Sequence, residues 1–290
     1  MPVAIKMLKH DMAMETDFLK NFTNEAKTIA TFNHENIVKV YDIEECYQTI
    51  FIVREYLEGM SLRAVLKNML RLPPKRVASY LLQVCAGLHY AHARGIVHQD
   101  IAPGNMFIQS NDKVKILDFG LACPPGSENI LAGTPFYMSP EQVDCLPVDE
   151  RTDIYSLGIS AYEMVTGQRP YPEDDIWRMM DLHATQDIPD PAEIVPDLPK
   201  ALRKIIIKAC SRDPAHRYQK VAQITEDLQP LAADYGLTSQ DVSLERPKMA
   251  TLFLLYKEEH QPALSRLMDE FSSQVRELGV TCKAADLKEI

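Results

Sequence analysis

The chain has 290 residues, of which 46% are hydrophobic and 25% charged, and these proportions exclude a wholly disordered or fibrous protein. Its 31 Lys and Arg residues against 41 Asp and Glu residues give a formal net charge of −10, so neither nucleic acid nor an anionic membrane is expected as its main partner. No apolar run approaches the roughly 18 residues that cross a bilayer, and the sequence opens without a basic-then-apolar leader, so we expect no membrane span and no signal peptide.

The first part of the chain predicts a strand, a helix and two further strands. Residues 3–5 are apolar and suit a short strand, whereas residues 15–32 carry apolar side chains at helical spacing. Residues 37–41 and 50–53 are short and rich in β-branched side chains, which favours strands.

Helices dominate the sequence after Gly59. Pro73 and Pro74 open a helix predicted to reach about residue 93, because proline is favoured in the first turn. Residues 153–166 are apolar on nearly every side, which is typical of a buried central helix. Three further helices are predicted, at residues 176–183, 199–210 and 220–233.

The pattern of the last part of the chain predicts a linker followed by a small α/β segment. Residues 234–248 are polar and poorly periodic, which indicates a linker. Beyond them the pattern predicts a strand at 250–256, an amphipathic helix at 261–278 and a strand at 280–284. Such a short segment cannot bury a core of its own, so it is either an appendage or an incomplete second domain.

Six cysteines are scattered along the chain, and no two have the close spacing of zinc or thioredoxin-type redox motifs. A chain of this size does not need disulfides for stability. We therefore expect free thiols in a reducing cytoplasm.

Two carboxylates and an amide form the chemically most informative group. Asp100 and Asn105 lie in one turn-rich stretch, and Asp118 follows beyond a predicted short hairpin. Phosphoryl transfer needs a group that orients the nucleophile, together with oxygen ligands for Mg²⁺. Upstream, Lys6 on a predicted strand can contact phosphate oxygens, and Glu25 on the next helix can hold that lysine by an ion pair. This combination predicts magnesium-dependent phosphate chemistry.

Together and in this order, these residues resemble the eukaryotic-type (Hanks-type) serine/threonine protein kinases, in the style of bacterial members. The matching motifs are Val3-Ala4-Ile5-Lys6, Glu25, His98-Gln99-Asp100 with Asn105, Asp118-Phe119-Gly120, Gly133-Thr134, Ser139-Pro140-Glu141, Asp153 and Arg217. The resemblance covers roughly residues 1–233. It implies an α+β, bilobal kinase-like fold with a small β-rich N-lobe, a large helical C-lobe and a short α/β C-terminal appendage. The implied division is a kinase domain at 1–233, a linker at 234–248 and the appendage at 249–290.

The resemblance also implies the role of each catalytic residue. Asp100 would orient the substrate hydroxyl or accept its proton, and Asn105 and Asp118 would be the Mg²⁺ ligands. Lys6, held by Glu25, would bind the α- and β-phosphates of ATP. The implied reaction is transfer of the γ-phosphoryl group of ATP to Ser or Thr residues of protein substrates.

The adenine site and two buried anchors are implied in the same way. Ala4 and Phe107 would enclose the adenine, and the backbone from Glu55 to Leu57 would form the hinge. Asp153 would fix the backbone of the catalytic loop. In addition, Glu141 and Arg217 would pair beneath the activation segment.

Four features depart from the family pattern. The glycine-rich loop is missing, because the sequence starts at the strand that normally follows it, and this strand is therefore expected at a sheet edge. Gln99 replaces the usual Arg, and Ala102 stands where these kinases place a Lys near the transferred phosphate. Arg54 aligns with the gatekeeper position behind the adenine, unless the alignment is wrong by one residue.

These departures keep a second interpretation open. A chain without the glycine-rich loop and with Ala102 is also compatible with a catalytically impaired pseudokinase, a scaffold or a gene fragment. An acidic run, Glu173-Asp174-Asp175, follows the central helix, where the resemblance implies that substrates bind, and this run favours basic peptides as substrates. The sequence leaves the physiological substrate and the oligomeric state open.

Overall fold

The computed structural model describes residues 2–7, 30–46, 49–119, 122–127, 133–237, 251–256 and 281–286. They fall into two compact units. The first, here called the sheet unit, comprises the described parts of residues 1–33, 38–58 and 243–290, and the second, the helical unit, comprises those of 34–37 and 59–242.

In chain order, the described strands are β1 (Val3–Met7), β2 (Val40–Cys46), β3 (Thr49–Glu55), β4 (Gly59–Ser61), β5 (Met106–Gln109), β6 (Val114–Ile116), β7 (Thr251–Tyr256) and β8 (Thr281–Asp286). The described helices are α1 (Leu62–Met69), α2 (Pro74–His92), α3 (Pro140–Val143), α4 (Glu150–Thr166), α5 (Ile176–Thr185), α6 (Lys200–Ala209) and α7 (Val221–Asp234). Short 3-10 turns lie at Pro103–Asn105, Pro135–Tyr137, Pro191–Glu193 and Pro214–His216. The predicted α+β class is confirmed.

The sheet unit contains one five-stranded sheet in the order β2-β3-β1-β7-β8. β1 pairs antiparallel with β3 and parallel with β7, with Ile5 opposite Val53 on one side and Leu254 on the other. The expectation that β1 would be an edge strand is therefore wrong, because the C-terminal strand β7 satisfies its second edge. β8 continues the sheet in parallel with β7.

The helical unit is organised around α4, which is buried along nearly its whole length. The Asp149 side chain caps this helix by accepting from the Arg151 N–H at 2.9 Å. Gly167, with φ of +79°, ends it in the left-handed conformation that glycine adopts at low cost. α2 and α6 pack against α4, and α7 packs against α2.

A small antiparallel sheet of β4, β5 and β6 positions the 3-10 turn at Pro103–Asn105 in the helical unit. Ser61 on β4 caps α1 by accepting from the Ala64 N–H at 3.3 Å. α1 contacts the 3-10 turn at Pro103–Asn105. The turn is thereby fixed between a helix and a hairpin.

Most predicted elements are present with small shifts of their ends. The helices predicted at residues 73–93, 176–183, 199–210 and 220–233 correspond to α2, α5, α6 and α7, and the tail strands to β7 and β8. The strand predicted at 37–41 begins instead at Val40, because Ile37 forms an isolated bridge with Ile116 in the helical unit. Nearly all of the helix predicted at 15–32, the whole helix at 261–278 and most of the linker lie outside the described residues, and the three-part domain division stays a prediction.

Gly158 marks the close approach of α4 to the end of α6. A Cβ atom at this position would lie 2.6 Å from Cys210 Sγ and 2.8 Å from Ala209 Cβ, closer than nonbonded atoms approach. We expect Gly158→Ala to lower the free energy of unfolding by about 1–3 kcal/mol, because the strain of overpacking exceeds the roughly 1 kcal/mol gained in helix propensity. Urea unfolding measures this loss. Adding Cys210→Ala should restore part of it, and an unchanged midpoint for Gly158→Ala would contradict the close packing.

Candidate active site

The Asp100 carboxylate is held by three hydrogen bonds. Its Oδ1 accepts from the Thr134 N–H at 2.8 Å and from the Thr134 hydroxyl at 2.7 Å. Its Oδ2 accepts from Asn105 Nδ2 at 2.7 Å. A carboxylate offers about four acceptor positions, so these bonds fix its orientation and leave about one position, on Oδ2, for a further donor.

Asn105 and Asp118 are brought together by the backbone. The Leu117 N–H donates to the Asn105 carbonyl at 2.8 Å, which places the residue preceding Asp118 against the catalytic segment. Asn105 Nδ2 also donates to the Asp100 carbonyl at 2.9 Å, so the amide group is oriented with its nitrogen toward Asp100. Its oxygen therefore points away from that bond and is a suitable ligand for a hard cation.

Asp153 holds the turn that precedes Asp100. From the buried helix α4, its carboxylate accepts from the N–H groups of His98 at 2.9 Å and Gln99 at 2.8 Å. Gln99 has φ of +67°, which is unfavourable for a residue with a side chain. The two bonds to Asp153 thus stabilise a strained backbone directly before Asp100. Asp153 occupies the position that the sequence predicted for such an anchor.

His98 connects this turn to the segment that carries Asp118. Its ring Nε2 lies 2.9 Å from the Leu117 carbonyl, and its ring centroid lies 4.4 Å from that of Phe119. Both His98 and Phe119 are fully buried. The residues on either side of Asp118 therefore pack against the catalytic turn.

Gln99 has a local partner at the position where the family carries an arginine. Its side-chain Nε2 lies 2.7 Å from Cys123 Sγ, and the backbones of Val97 and Cys123 exchange hydrogen bonds of 2.9 and 3.1 Å. A neutral amide with a neutral thiol partner requires no phosphate group to balance its charge. These bonds tie Cys123 to the turn that precedes Asp100.

Glu141 and Arg217 form a bidentate ion pair in the interior. The two guanidinium Nη atoms lie 2.7 and 2.8 Å from the two carboxylate oxygens, and Arg217 also donates to the backbone carbonyls of Ser211, Arg151 and Arg212. Burial acts to raise the pKa of Glu141, but the bonds from Arg217 outweigh it and hold this pKa below its ordinary value. The pair joins α3 to the turn after α6, as the sequence predicted.

The sheet unit contains four of the predicted nucleotide-binding residues. Ala4 and Lys6 lie on β1, where Ala4 is opposite Arg54 and Lys6 is opposite Ile52 of β3. Glu55 ends β3, and its carboxylate accepts from the Lys39 N–H at 2.7 Å. Leu57 is half-buried in the segment that follows β3. Arg54 is also half-buried, at the end of this strand.

The remaining predicted residues lie in the helical unit or outside the described part. Phe107 is half-buried on β5, opposite Ser61 and Lys115. Ala102 is buried, with 1% of its surface exposed, directly before the 3-10 turn. Glu25, the expected partner of Lys6, is not among the described residues.

Besides the contact of Gln99 with Cys123, three contacts at the site were not predicted from the sequence. Thr134 was part of a recognised motif, but its two bonds to Asp100 were not expected. His92 approaches Asp153 Oδ2 to 2.7 Å, and Gln142 Nε2 donates to the Gln99 carbonyl at 2.8 Å. All three contacts join residues far apart in the chain, so local spacing offers no signal for them.

The described residues also show the state of four cysteines and the character of the helices with respect to a membrane. Cys85, Cys123, Cys145 and Cys210 are free thiols. Among the helices that the structure describes, none combines the length and apolar character needed to cross a bilayer.

Comparison with known proteins identifies one family over most of the chain. The family model described as "Protein kinase domain" matches residues 1–228. A probable serine/threonine-protein kinase of Clostridium acetobutylicum is 35% identical over 238 residues, which is 80% of this chain and 36% of that protein. The serine/threonine-protein kinase Pkn1 of Myxococcus xanthus is 33% identical over 292 residues, covering 97% of this chain and 41% of the relative.

A third relative gives the same result. The serine/threonine-protein kinase PrkC of Bacillus subtilis is 33% identical over 231 residues, which is 78% of this chain and 36% of that protein. The chain thus spans about two fifths or less of the length of the relatives that it matches.

Proposed function

Because the chain belongs to the protein kinase family, we propose that it transfers the γ-phosphoryl group of Mg·ATP to Ser or Thr residues of protein substrates. The observation that carries this proposal is the Asp100 carboxylate, fixed by Thr134 and Asn105 with about one acceptor position left on Oδ2. A substrate hydroxyl that donates to this oxygen is oriented for attack, and Asp100 is placed to accept its proton.

Asn105 and Asp118 are the proposed Mg²⁺ ligands. The orientation of the Asn105 amide fits this role, because its nitrogen is engaged by Asp100 and its oxygen is left for a cation. Proteins commonly hold Mg²⁺ through one or two side-chain oxygens and substrate phosphates, so two ligands suffice. When bound, Mg²⁺ neutralises the charge that develops on the phosphate oxygens.

Lys6, Ala4, Glu55, Leu57 and, from the helical unit, Phe107 are the proposed nucleotide-binding residues. Lys6 contacts the phosphates, with Glu25 as its ion-pair partner. The backbone of Glu55 and Leu57 provides hydrogen bonds to the adenine, which is enclosed by Ala4 and Phe107. The bond from the Lys39 N–H to the Glu55 carboxylate supports this role, because it fixes the end of β3.

The proposed partners are proteins with an acceptor Ser or Thr, and the proposed site of action is the cytoplasm, where ATP and reduced thiols are available. The relatives are named as serine/threonine-protein kinases or probable ones, and these names give no support to the scaffold alternative. Ala102 remains the departure with the clearest expected cost, because a preorganised cation near the transferred phosphate is missing.

Binding of Mg·ATP gives the first test of this proposal. A ligand present at about 100 times its dissociation constant adds about 2.7 kcal/mol to the free energy of unfolding, so we expect the melting temperature to rise by roughly 5–10 °C. Differential scanning fluorimetry with ATP, in the presence and absence of Mg²⁺, measures this rise.

Lys6→Met serves as the control for this measurement, since it removes the phosphate contact while keeping an apolar stem. The variant should lose most of the rise in melting temperature. A folded wild-type chain with no magnesium-dependent rise would contradict the proposed nucleotide site.

A further inference from the structure

We infer that Arg63 selects acceptor peptides that carry a carboxylate side chain close to the phosphorylated Ser or Thr. This inference rests on the proposed kinase function and names a substrate class for it. Arg63 lies in the first turn of α1, in the same unit as Asp100.

Arg63 lies beside Gly104, which is in the turn that carries Asn105. A Cβ atom built on Gly104 would lie 3.7 Å from three atoms of the Arg63 guanidinium group. Gly104 directly precedes Asn105, whose amide donates to Asp100. Because Gly104 has no side chain, nothing from that position covers the guanidinium group. A positive charge therefore borders the segment that holds the catalytic carboxylate.

Arg63 is a surface cation of the helical unit. Its side chain is exposed and forms no ion pair with any residue that the structure describes, and the first turn of α1 contains no acidic residue. A cation at the positive end of a helix dipole is unfavourable, so the helix itself offers no reason for an arginine here. An anionic group of a bound peptide would form an ion pair with Arg63.

The neighbouring surface has a second guanidinium group. Arg169 lies over the Phe136 ring at 3.9 Å, and Phe136 and Tyr137 follow Thr134, the residue bonded to Asp100. Burial and the neighbouring Glu163 raise the pKa of the Tyr137 hydroxyl, and the positive charges of Arg63 and Arg169 oppose this rise. The Tyr137 hydroxyl donates to Glu163 at 2.5 Å, so one carboxylate is already present on this surface.

The acidic run after the central helix has its own partners. Glu173 lies 3.1 Å from Arg178, and Asp174 lies 3.8 Å from Arg169. These contacts reduce the charge that the run can offer to a basic peptide. Arg63, which has no such partner among the described residues, is the stronger feature, and it favours acidic substrates over the basic ones that the sequence suggested.

The test is a peptide scan with the full chain. A serine peptide of alanine and glycine carries a single Glu or a single Lys at each of the four positions on either side of the acceptor, and kcat/KM is measured for each peptide. At one or more positions we expect Glu to be preferred over Lys by about three- to tenfold, the range of a partly exposed ion pair. The preference should decrease at high salt.

Two variants should abolish this preference by different routes. Arg63→Glu reverses the charge, whereas Gly104→Glu leaves Arg63 in place and supplies a carboxylate beside it. Lys67→Glu is the matched control, because Lys67 is exposed on the same helix one turn further on. It should keep the wild-type ratio.

The outcomes separate this inference from the kinase proposal. Turnover without any preference for Glu, or with the same preference in Arg63→Glu, would overturn the role of Arg63 alone. If no peptide is phosphorylated, the kinase proposal fails for this chain, and fluorescence anisotropy with the same peptides decides about Arg63. Tighter binding of Glu peptides that is lost in Arg63→Glu would support the inference, and equal binding to both proteins would overturn it.

Discussion

Asp100→Asn is expected to reduce turnover by about 10³-fold, because it removes the carboxylate that we propose as the acceptor of the substrate proton. Asparagine has the shape of aspartate, so the turn around His98 and Gln99 should persist. However, its amide carries no negative charge and cannot accept the hydroxyl proton. In the native protein Thr134 donates to one oxygen of the carboxylate and Asn105 donates to the other. In either orientation of the asparagine amide, its NH₂ group therefore faces a donor and loses that hydrogen bond.

This loss is measured as the rate of label transfer from γ-labelled ATP to a serine peptide at saturating Mg·ATP. The melting-temperature rise with Mg·ATP should be retained in the variant, since Asp100 is not one of the proposed nucleotide-binding residues. Asp197→Asn is the matched control, because Asp197 is exposed and makes no hydrogen bond or ion pair among the described residues. Unchanged turnover in Asp100→Asn would disprove the assigned role.

Arg217→Ala is expected to lower the free energy of unfolding by about 3–5 kcal/mol, because it leaves the Glu141 carboxylate buried without its cation. It also removes the donor to three backbone carbonyls, those of Ser211, Arg151 and Arg212. For a domain of this size we expect the melting temperature to fall by roughly 10 °C. Thermal unfolding followed by circular dichroism measures the change.

The pH dependence of the same variant gives a second readout. In the native protein the pKa of Glu141 is below its ordinary value of 4.5, so its contribution to stability is present above that pH and is lost as the pH falls through the lowered pKa. In Arg217→Ala, burial is no longer compensated and raises the Glu141 pKa. At neutral pH the variant therefore contains a buried carboxylate without its cation, and protonation of Glu141 on acidification removes this cost. The difference in free energy of unfolding between the two proteins should decrease toward low pH.

Arg203→Ala is the control for this experiment. Arg203 also forms a bidentate pair, with Nε 2.8 Å from Asp190 Oδ1, but Arg203 is exposed and Asp190 is only half-buried. Exposed pairs contribute little, so the melting temperature should change little. Equal effects of the two arginine substitutions would show that burial of the Glu141–Arg217 pair has no special importance.

The elements that the sequence predicts best are those with a long apolar pattern. α2 and α5–α7 lie within a few residues of the predicted positions, because each has a continuous apolar face. α1 was missed because it has only eight residues, too few for a clear period. Ile37 has the composition of a strand residue, but its isolated bridge to Ile116 keeps it outside β2. The pairing of β7 with β1 joins opposite ends of the chain, and no local pattern encodes it.

At the site, the sequence identifies the proposed reactive residues and the anchor Asp153, but not the bonds that fix the Asp100 carboxylate. The spacing of Asp100, Asn105 and Asp118 is a motif, whereas the bonds from Thr134 to Asp100 span a stretch of 34 residues. The replacement of arginine by Gln99 is visible in the sequence, but its partner Cys123 is found only once the chain is folded. Arg63 belongs to no sequence motif, and its position next to Gly104 is visible only in the folded chain.

The most direct test of the account is the identity of the product formed from γ-labelled ATP. The purified chain is incubated with Mg·ATP and a protein substrate rich in Ser, Thr and Tyr, and the labelled residues are identified by mass spectrometry. We predict phosphoserine or phosphothreonine, formed by the wild-type chain and almost absent with Asp100→Asn. Label on tyrosine alone, or no label although Mg·ATP is bound, would contradict the proposed function.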